Sequence, residues 1–164
     1  MTSVQLSYLG KTDWRLCAAG SGSVERFAAE ELADYFHRIT GAKLSNTSGR
    51  KTIFLGLRGQ LSAHNLPQPK KGADGYTLVI ASDKIVVAGD NPRGLLYGVY
   101  DLLERMGCRW YVPNCDPKDP EVVPKTPSLS VTAGEWTEAS PFEDRVYWLS
   151  GLAFEIRQKQ ALSQ

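Results

Sequence analysis

Tyr76-Thr77-Leu78-Val79-Ile80-Ala81-Ser82-Asp83-Lys84-Ile85-Val86-Val87-Ala88-Gly89-Asp90-Asn91-Pro92-Arg93-Gly94-Leu95-Leu96-Tyr97-Gly98-Val99-Tyr100-Asp101-Leu102-Leu103 passes from strand-like to helix-like patterning within twenty-eight residues. Two β-rich runs, 76–81 and 84–88, flank Ser82-Asp83 and read as a hairpin, although the turn lacks the usual glycine. Tyr76, Leu78 and Ile80 share one face and Thr77, Val79 and Ala81 the other. Neither face is strongly polar, so the sheet needs cover on both sides. Asn91-Pro92 then opens a helix, since Asn caps free N–H groups and Pro at the first helical position gives up only an orphan donor. Leu95, Leu96, Val99, Leu102, Leu103 and Met106 form its buried stripe, and Gly107 stops it. Gly94 and Gly98, one turn apart, read as places where this helix approaches the sheet closely, each at a cost of about 1 kcal/mol relative to Ala.

Upstream, Val4 to Leu9 alternates apolar with polar residues before Gly10, the signature of a half-buried strand, and Trp14 to Ala18 suggests a second. Val24, Phe27, Ala28, Leu32, Tyr35, Phe36 and Ile39 recur at helical spacing and predict a helix near 24–40, with Ser23 as its cap and Gly41 as its stop. Thr52 to Gly56 reads as a buried strand, and Arg58 to Ala73 as a surface loop. Downstream, Cys108 to Val112 is strand-like. Prolines 113, 117, 120, 124 and 127 mark an ordered connector, after which Leu129 and Val131 suit a short edge strand. The elements add up to one α+β domain.

The chain has 164 residues, within the range of about 100–200 for one domain, and can bury a core without a metal or disulfide staple. With 19 Lys+Arg against 18 Asp+Glu it lacks the field that recruits polyanions, so nucleic acid is not an expected partner. No run of about 18 apolar residues exists to span a bilayer. Residues 1–20 show no signal peptide, which leaves the compartment open; a secreted or periplasmic parent would already have lost its leader. Cys17, Cys108 and Cys115 form no CxxC pair and read as free thiols, the first two buried, with a Cys108–Cys115 bridge as the weaker alternative.

Catalytic chemistry is hard to find. His37 and His64 are the only histidines and there is no HExxH, so no metal centre and no cofactor are expected. No GxSxG occurs, and Gly20-Ser21-Gly22-Ser23 reads as a helix-capping loop, with anion binding as the lesser alternative. Glu30, Glu31, Asp34, Asp101 and Glu104 fall on helices as solvated charge, and nothing nominates the two flanking carboxylates of a glycosidase. Trp110, Tyr111, Trp136, Tyr147 and Trp148 are candidates for a carbohydrate-stacking platform, although packing is the plainer reading of each.

Several motifs together carry a family resemblance. Ala28-Ala29-Glu30-Glu31-Leu32-Ala33-Asp34-Tyr35-Phe36, Ile39-Thr40-Gly41-Ala42, Asp74-Gly75-Tyr76, the run from Gly89 to Glu104 and Gly107 to Pro113 occur in the order and spacing of a known accessory domain. Over roughly residues 24–148 the chain resembles the N-terminal domain of family 67 α-glucuronidases, the second domain of family 20 β-hexosaminidases, and an uncharacterised bacterial group of the same layout. The resemblance implies a mixed β-sheet with two main helices, zincin-like in architecture but without the metal site, preceding a (β/α)₈ catalytic barrel. It implies an accessory domain over 1–132, with 133–164 as linker and truncated start of the barrel. Arg145 is similar in position to an arginine that helps hold the sugar in family 20 enzymes. The expected function is therefore non-catalytic support of a missing barrel, which would be the chain's partner in a parent glycoside hydrolase. A stand-alone carbohydrate-binding module using Trp110, or a protein-interaction module, is the alternative.

Overall fold

The computed structural model describes residues 2–110 and 121–141. Its elements are β1 (Ser3–Gln5), β2 (Trp14–Ala18), α1 (Ser23–Thr40), β3 (Lys51–Leu57), a 3₁₀ segment (Arg58–His64), β4 (Ala73–Ile80), β5 (Lys84–Gly89), α2 (Pro92–Arg105), β6 (Ser130–Thr132) and β7 (Gly134–Ser140). Five strands form a mixed sheet in the order β2-β3-β5-β4-β7, with β2, β3 and β5 parallel and β4 antiparallel to both neighbours. The β4–β5 hairpin has the expected register, Leu78 opposite Val87 and Ile80 opposite Ile85. This is the α+β class read from the sequence.

Both sheet faces are covered, as their apolar character demands. Leu78, Ile80, Ile85, Val87, Ile53 and Leu55 join α1 and α2 in the main core, where Leu32, Phe36, Leu95, Val99, Leu102 and Leu103 are completely buried. Val79, Val86 and Ala88 belong to a smaller cluster, closed by Leu61 of the 3₁₀ segment together with Phe54 and Leu66. The loop expected over 58–73 therefore begins with helical structure, because the second face needs a lid. Gln60 accepts a hydrogen bond from the Leu57 amide (2.7 Å) and sets its first turn.

α2 lies almost in contact with the hairpin. A methyl group added to Gly94 would strike the Gly75 carbonyl oxygen, and one on Gly98 would meet Val87 at 2.7 Å and the Tyr76 ring at 3.1 Å. The two glycines are thus conditions of the packing. Asn91 caps the helix as the sequence indicates, its side chain accepting from the Gly94 amide at 2.8 Å.

Other local readings need correction. The cap of α1 is Gly22 with no side-chain hydrogen bond, so Ser23 is already helical. Glu25 curls back against Gly20 and Gly22 instead and occupies the positive helix end. An external anion would meet that carboxylate, which disfavours the anion-binding alternative. Strand character at the N-terminus stops at Gln5, because Leu9 (φ 47°) and Gly10 (φ 74°) reverse the chain and Tyr8 and Lys11 bond to each other. β1 pairs with β6, the strand expected around Leu129 and Val131. Gly134–Ser140, which the sequence reading gives to a linker starting at 133, is instead the edge strand β7, bonded along β4. Its mixed burial conceals it in the sequence, since β4 supplies the backbone pairing and no apolar alternation is required.

Gly94→Ala is expected to cost about 2–3 kcal/mol of unfolding free energy in urea titrations, as overpacking against backbone does. Gly59→Ala, where an added Cβ meets nothing within 4 Å, should stay within about 0.5 kcal/mol of wild type.

Candidate functional site

Three clusters of polar side chains surround α2, and each can be built from the sequence upward. The first joins the hairpin to the helix start. Asp74 sits at positive φ (51°) where the β4–β7 register shifts, between Ala73 and Tyr76. Its carboxylate accepts from Asn91 Nδ2 (3.0 Å) and Arg93 Nη1 (3.2 Å), while the Asp90 amide donates to the Gly75 carbonyl (2.8 Å). On the second sheet face Arg58 donates to Asp90 Oδ1 (2.6 Å), to Thr77 Oγ1 (2.6 Å) and to the Pro67 carbonyl (2.8 Å). The Asp74-Gly75-Tyr76 and Gly89-to-Gly94 motifs are two halves of one structural lock.

The second cluster gathers aromatic rings from α1 and α2 around Glu121. That carboxylate accepts from Tyr35 Oη, from Arg38 Nη2 (2.6 Å) and from Trp110 Nε1 (3.1 Å). Burial pushes the Glu121 carboxyl up, but those three bonds and the Arg38 charge outweigh it and hold the group below the usual glutamate range. The Tyr35 phenol is pushed up to about 12 by burial and by Glu121. Tyr100 donates to Glu31 at 2.8 Å, and its phenol is raised first by burial and then by that bond. The cluster fastens the connector to the helices, aided by the Thr126 amide donating to the Ile39 carbonyl at the end of α1 (2.7 Å).

The third is an open groove of about 560 Å³ between the outer side of α2 and the ends of β4 and β7. Tyr97 and Glu104 stand on its helical wall and Glu138 to Pro141 form the strand wall. Asp101 is held by Arg105 (2.9 and 3.2 Å), whose guanidinium lies 3.7 Å from the centre of the Trp136 ring. The Tyr76 phenol is raised by burial and then by Asp101.

The residues singled out in the sequence fall as follows. Trp110 is half-buried, with edge-to-face contacts to Tyr35 (5.6 Å) and Tyr100 (5.0 Å), and so serves the second cluster. Trp136 lies beneath Arg105. Arg145, Tyr111, Cys115, Tyr147 and Trp148 fall outside the described residues. Glu30, Asp34 and Glu104 are exposed as expected, whereas Glu31 and Asp101 have the partners given above. His37 is exposed and His64 packs on Phe54 (4.3 Å between ring centres). Cys17 is a half-buried free thiol, and Cys108 a buried one pushed up to about 11 by burial, far from a ready nucleophile. Among the described residues no group of three or more His, Cys, Asp or Glu side chains is placed to hold a metal ion. Reading 133 onward as linker hid the groove, because its second wall is β7.

Fold and side-chain placement together define a mixed-sheet α+β domain whose polar networks join its own elements. The profile of glycosyl hydrolase family 20, domain 2, matches residues 9–116, and the chain belongs to that family. No curated protein matches it in sequence. Among solved structures it is similar in fold to a GH20 β-N-acetylhexosaminidase from Streptomyces coelicolor A3(2), at 17% identity and TM-score 0.54 over 86% of this chain and 24% of that one. A β-hexosaminidase from Streptomyces plicatus gives 18% and 0.55, with the same coverage. A GH115 4-O-methyl-α-glucuronidase gives 18% and 0.56, over 85% of this chain and 18% of that one. The chain thus spans a quarter or less of the length of these proteins.

Glu121→Gln is expected to destabilise the chain by about 1–2 kcal/mol at neutral pH, since it removes the charge from three hydrogen bonds. Because the folded-state value is depressed, the carboxylate's contribution is complete above its ordinary value of 4.5 and is lost as pH falls through the folded value. Urea unfolding at several pH values should therefore show the gap between wild type and variant closing below about pH 4.5.

Proposed function

We propose that this chain is the non-catalytic N-terminal accessory domain of a glycoside-hydrolase-type protein, and that it supports a (β/α)₈ catalytic barrel following it in the same polypeptide. The observation that carries this reading is the family match itself, since it is to domain 2 and covers residues 9–116. The arrangement of charge agrees with it: the Asp74, Arg58 and Glu121 networks all join one element of the scaffold to another. The body of the accessory domain runs to the end of β7, and the barrel portion begins beyond Pro141. Arg145 is our candidate for a sugar contact contributed from there. A platform centred on Trp110 is a weaker reading, because Tyr35 and Tyr100 pack against that ring.

The chain alone is expected to release no aryl group from aryl β-N-acetylglucosaminides or aryl α-glucuronides. Deleting residues 1–141 from the parent protein should lower the melting temperature of the remaining barrel by several degrees and reduce its soluble yield. A barrel equally stable without them would overturn the accessory role, as would turnover by the chain alone that disappears with one of its own carboxylates.

A further inference from the structure

We propose that the groove between α2 and the β4–β7 edge seats a basic side chain, arginine or lysine, presented by the domain that follows in the same polypeptide. The proposal rests on the accessory-domain reading and deepens it by assigning the contact to one surface.

Chemistry selects the occupant. Four carboxylates and three tyrosines line the groove, with no lysine or arginine among the lining residues. Three of those carboxylates are neutralised from outside it: Asp74 by Arg93, Asp101 by Arg105, and Glu138 by Lys70 at 2.8 Å. Glu104 has no ion-pair partner among the described residues. An anionic partner would meet uncompensated negative charge. A purely apolar one would strip water from carboxylates and return no hydrogen bonds. A guanidinium or ammonium pairs with Glu104 and regains there the charge-assisted hydrogen bonds it loses on leaving water. The Tyr76 and Tyr100 phenols, uncharged at physiological pH as tyrosines ordinarily are and pushed further up by burial, add no competing charge.

Position selects the source. Ser140 and Pro141 are part of the groove wall, and the polypeptide continues from there to Gln164. Each further residue adds at most about 3.6 Å of reach, so whatever the chain builds next starts beside this groove. The walls are fixed in advance. Gly94 against the Gly75 carbonyl and Gly98 against the Tyr76 ring set α2 on β4, so little ordering is left to be done on docking.

Carboxyl footprinting with a carbodiimide and glycine ethyl ester, read by mass spectrometry, tests this on the parent protein and on a 1–141 chain, which lacks the basic residues Arg145, Arg157 and Lys159 that follow. Glu104 should be labelled readily in the 1–141 chain and several-fold less in the parent, while Glu30, on α1, labels alike in both. Glu104→Lys should lower the melting temperature of the parent by several degrees and leave that of the 1–141 chain unchanged, since Glu104 is exposed there. Equal labelling of Glu104 in both proteins, or a parent indifferent to Glu104→Lys, would overturn the proposal. Protection of Glu104 in the isolated chain by added N-acetylglucosamine would overturn it too, by making the groove a sugar site. Should deletion of 1–141 destabilise the parent while Glu104 labels equally, only the groove assignment falls. Should the deletion be silent, the accessory role falls with it.

Discussion

The close approach of α2 to the β4–β5 hairpin holds the main core, the groove and the β7 edge in place together. Gly94 and Gly98 leave no room for a side chain, which lets the helix bury Leu95, Val99, Leu102 and Leu103 directly on the sheet. Asp74, held at positive φ, reaches over to the helix start and binds both Asn91 and Arg93. Loosening this contact would open the main core, misplace the wall of the groove and release the end of β7 together. Two glycines, at about 1 kcal/mol each in helix propensity, are a small cost against burial of four leucine-sized side chains.

The ionisable groups are spent on joining elements. Arg58 ties the 3₁₀ segment to Asp90 and to Thr77 beneath the sheet, and Glu121 ties the connector to α1 through Arg38 and Tyr35 and to Trp110 beyond the end of α2. No buried side-chain nitrogen or oxygen among the described residues is without a hydrogen-bond partner.

Much of the fold was legible because its strongest signals are local. The Asn91-Pro92 start, the Gly41 and Gly107 stops and the two helical stripes depend on neighbouring residues, and the β4–β5 pairing follows from one short turn. What escaped was non-local. β7 is a strand because β4 offers it a backbone edge, so Glu135 and Glu138 disguise it as linker. The 3₁₀ segment exists because the second sheet face needs Leu61. Gly22 takes the cap position expected of Ser23, and the two glycines at 20 and 22 leave space for the Glu25 carboxylate to lie beside the helix start. The Glu121 cluster joins residues more than eighty positions apart, and nothing in the local pattern around Tyr35 or Trp110 announces it.

Amide hydrogen exchange on the 1–164 chain tests the central contact most directly. If the α2–hairpin junction anchors the fold, the amides of Leu95 to Leu103 should exchange among the slowest, together with Leu78 to Ile80 and Ile85 to Val87, through global unfolding only. Exchange of α2 in an early, separate opening, while β2, β3 and α1 remain protected, would contradict the account.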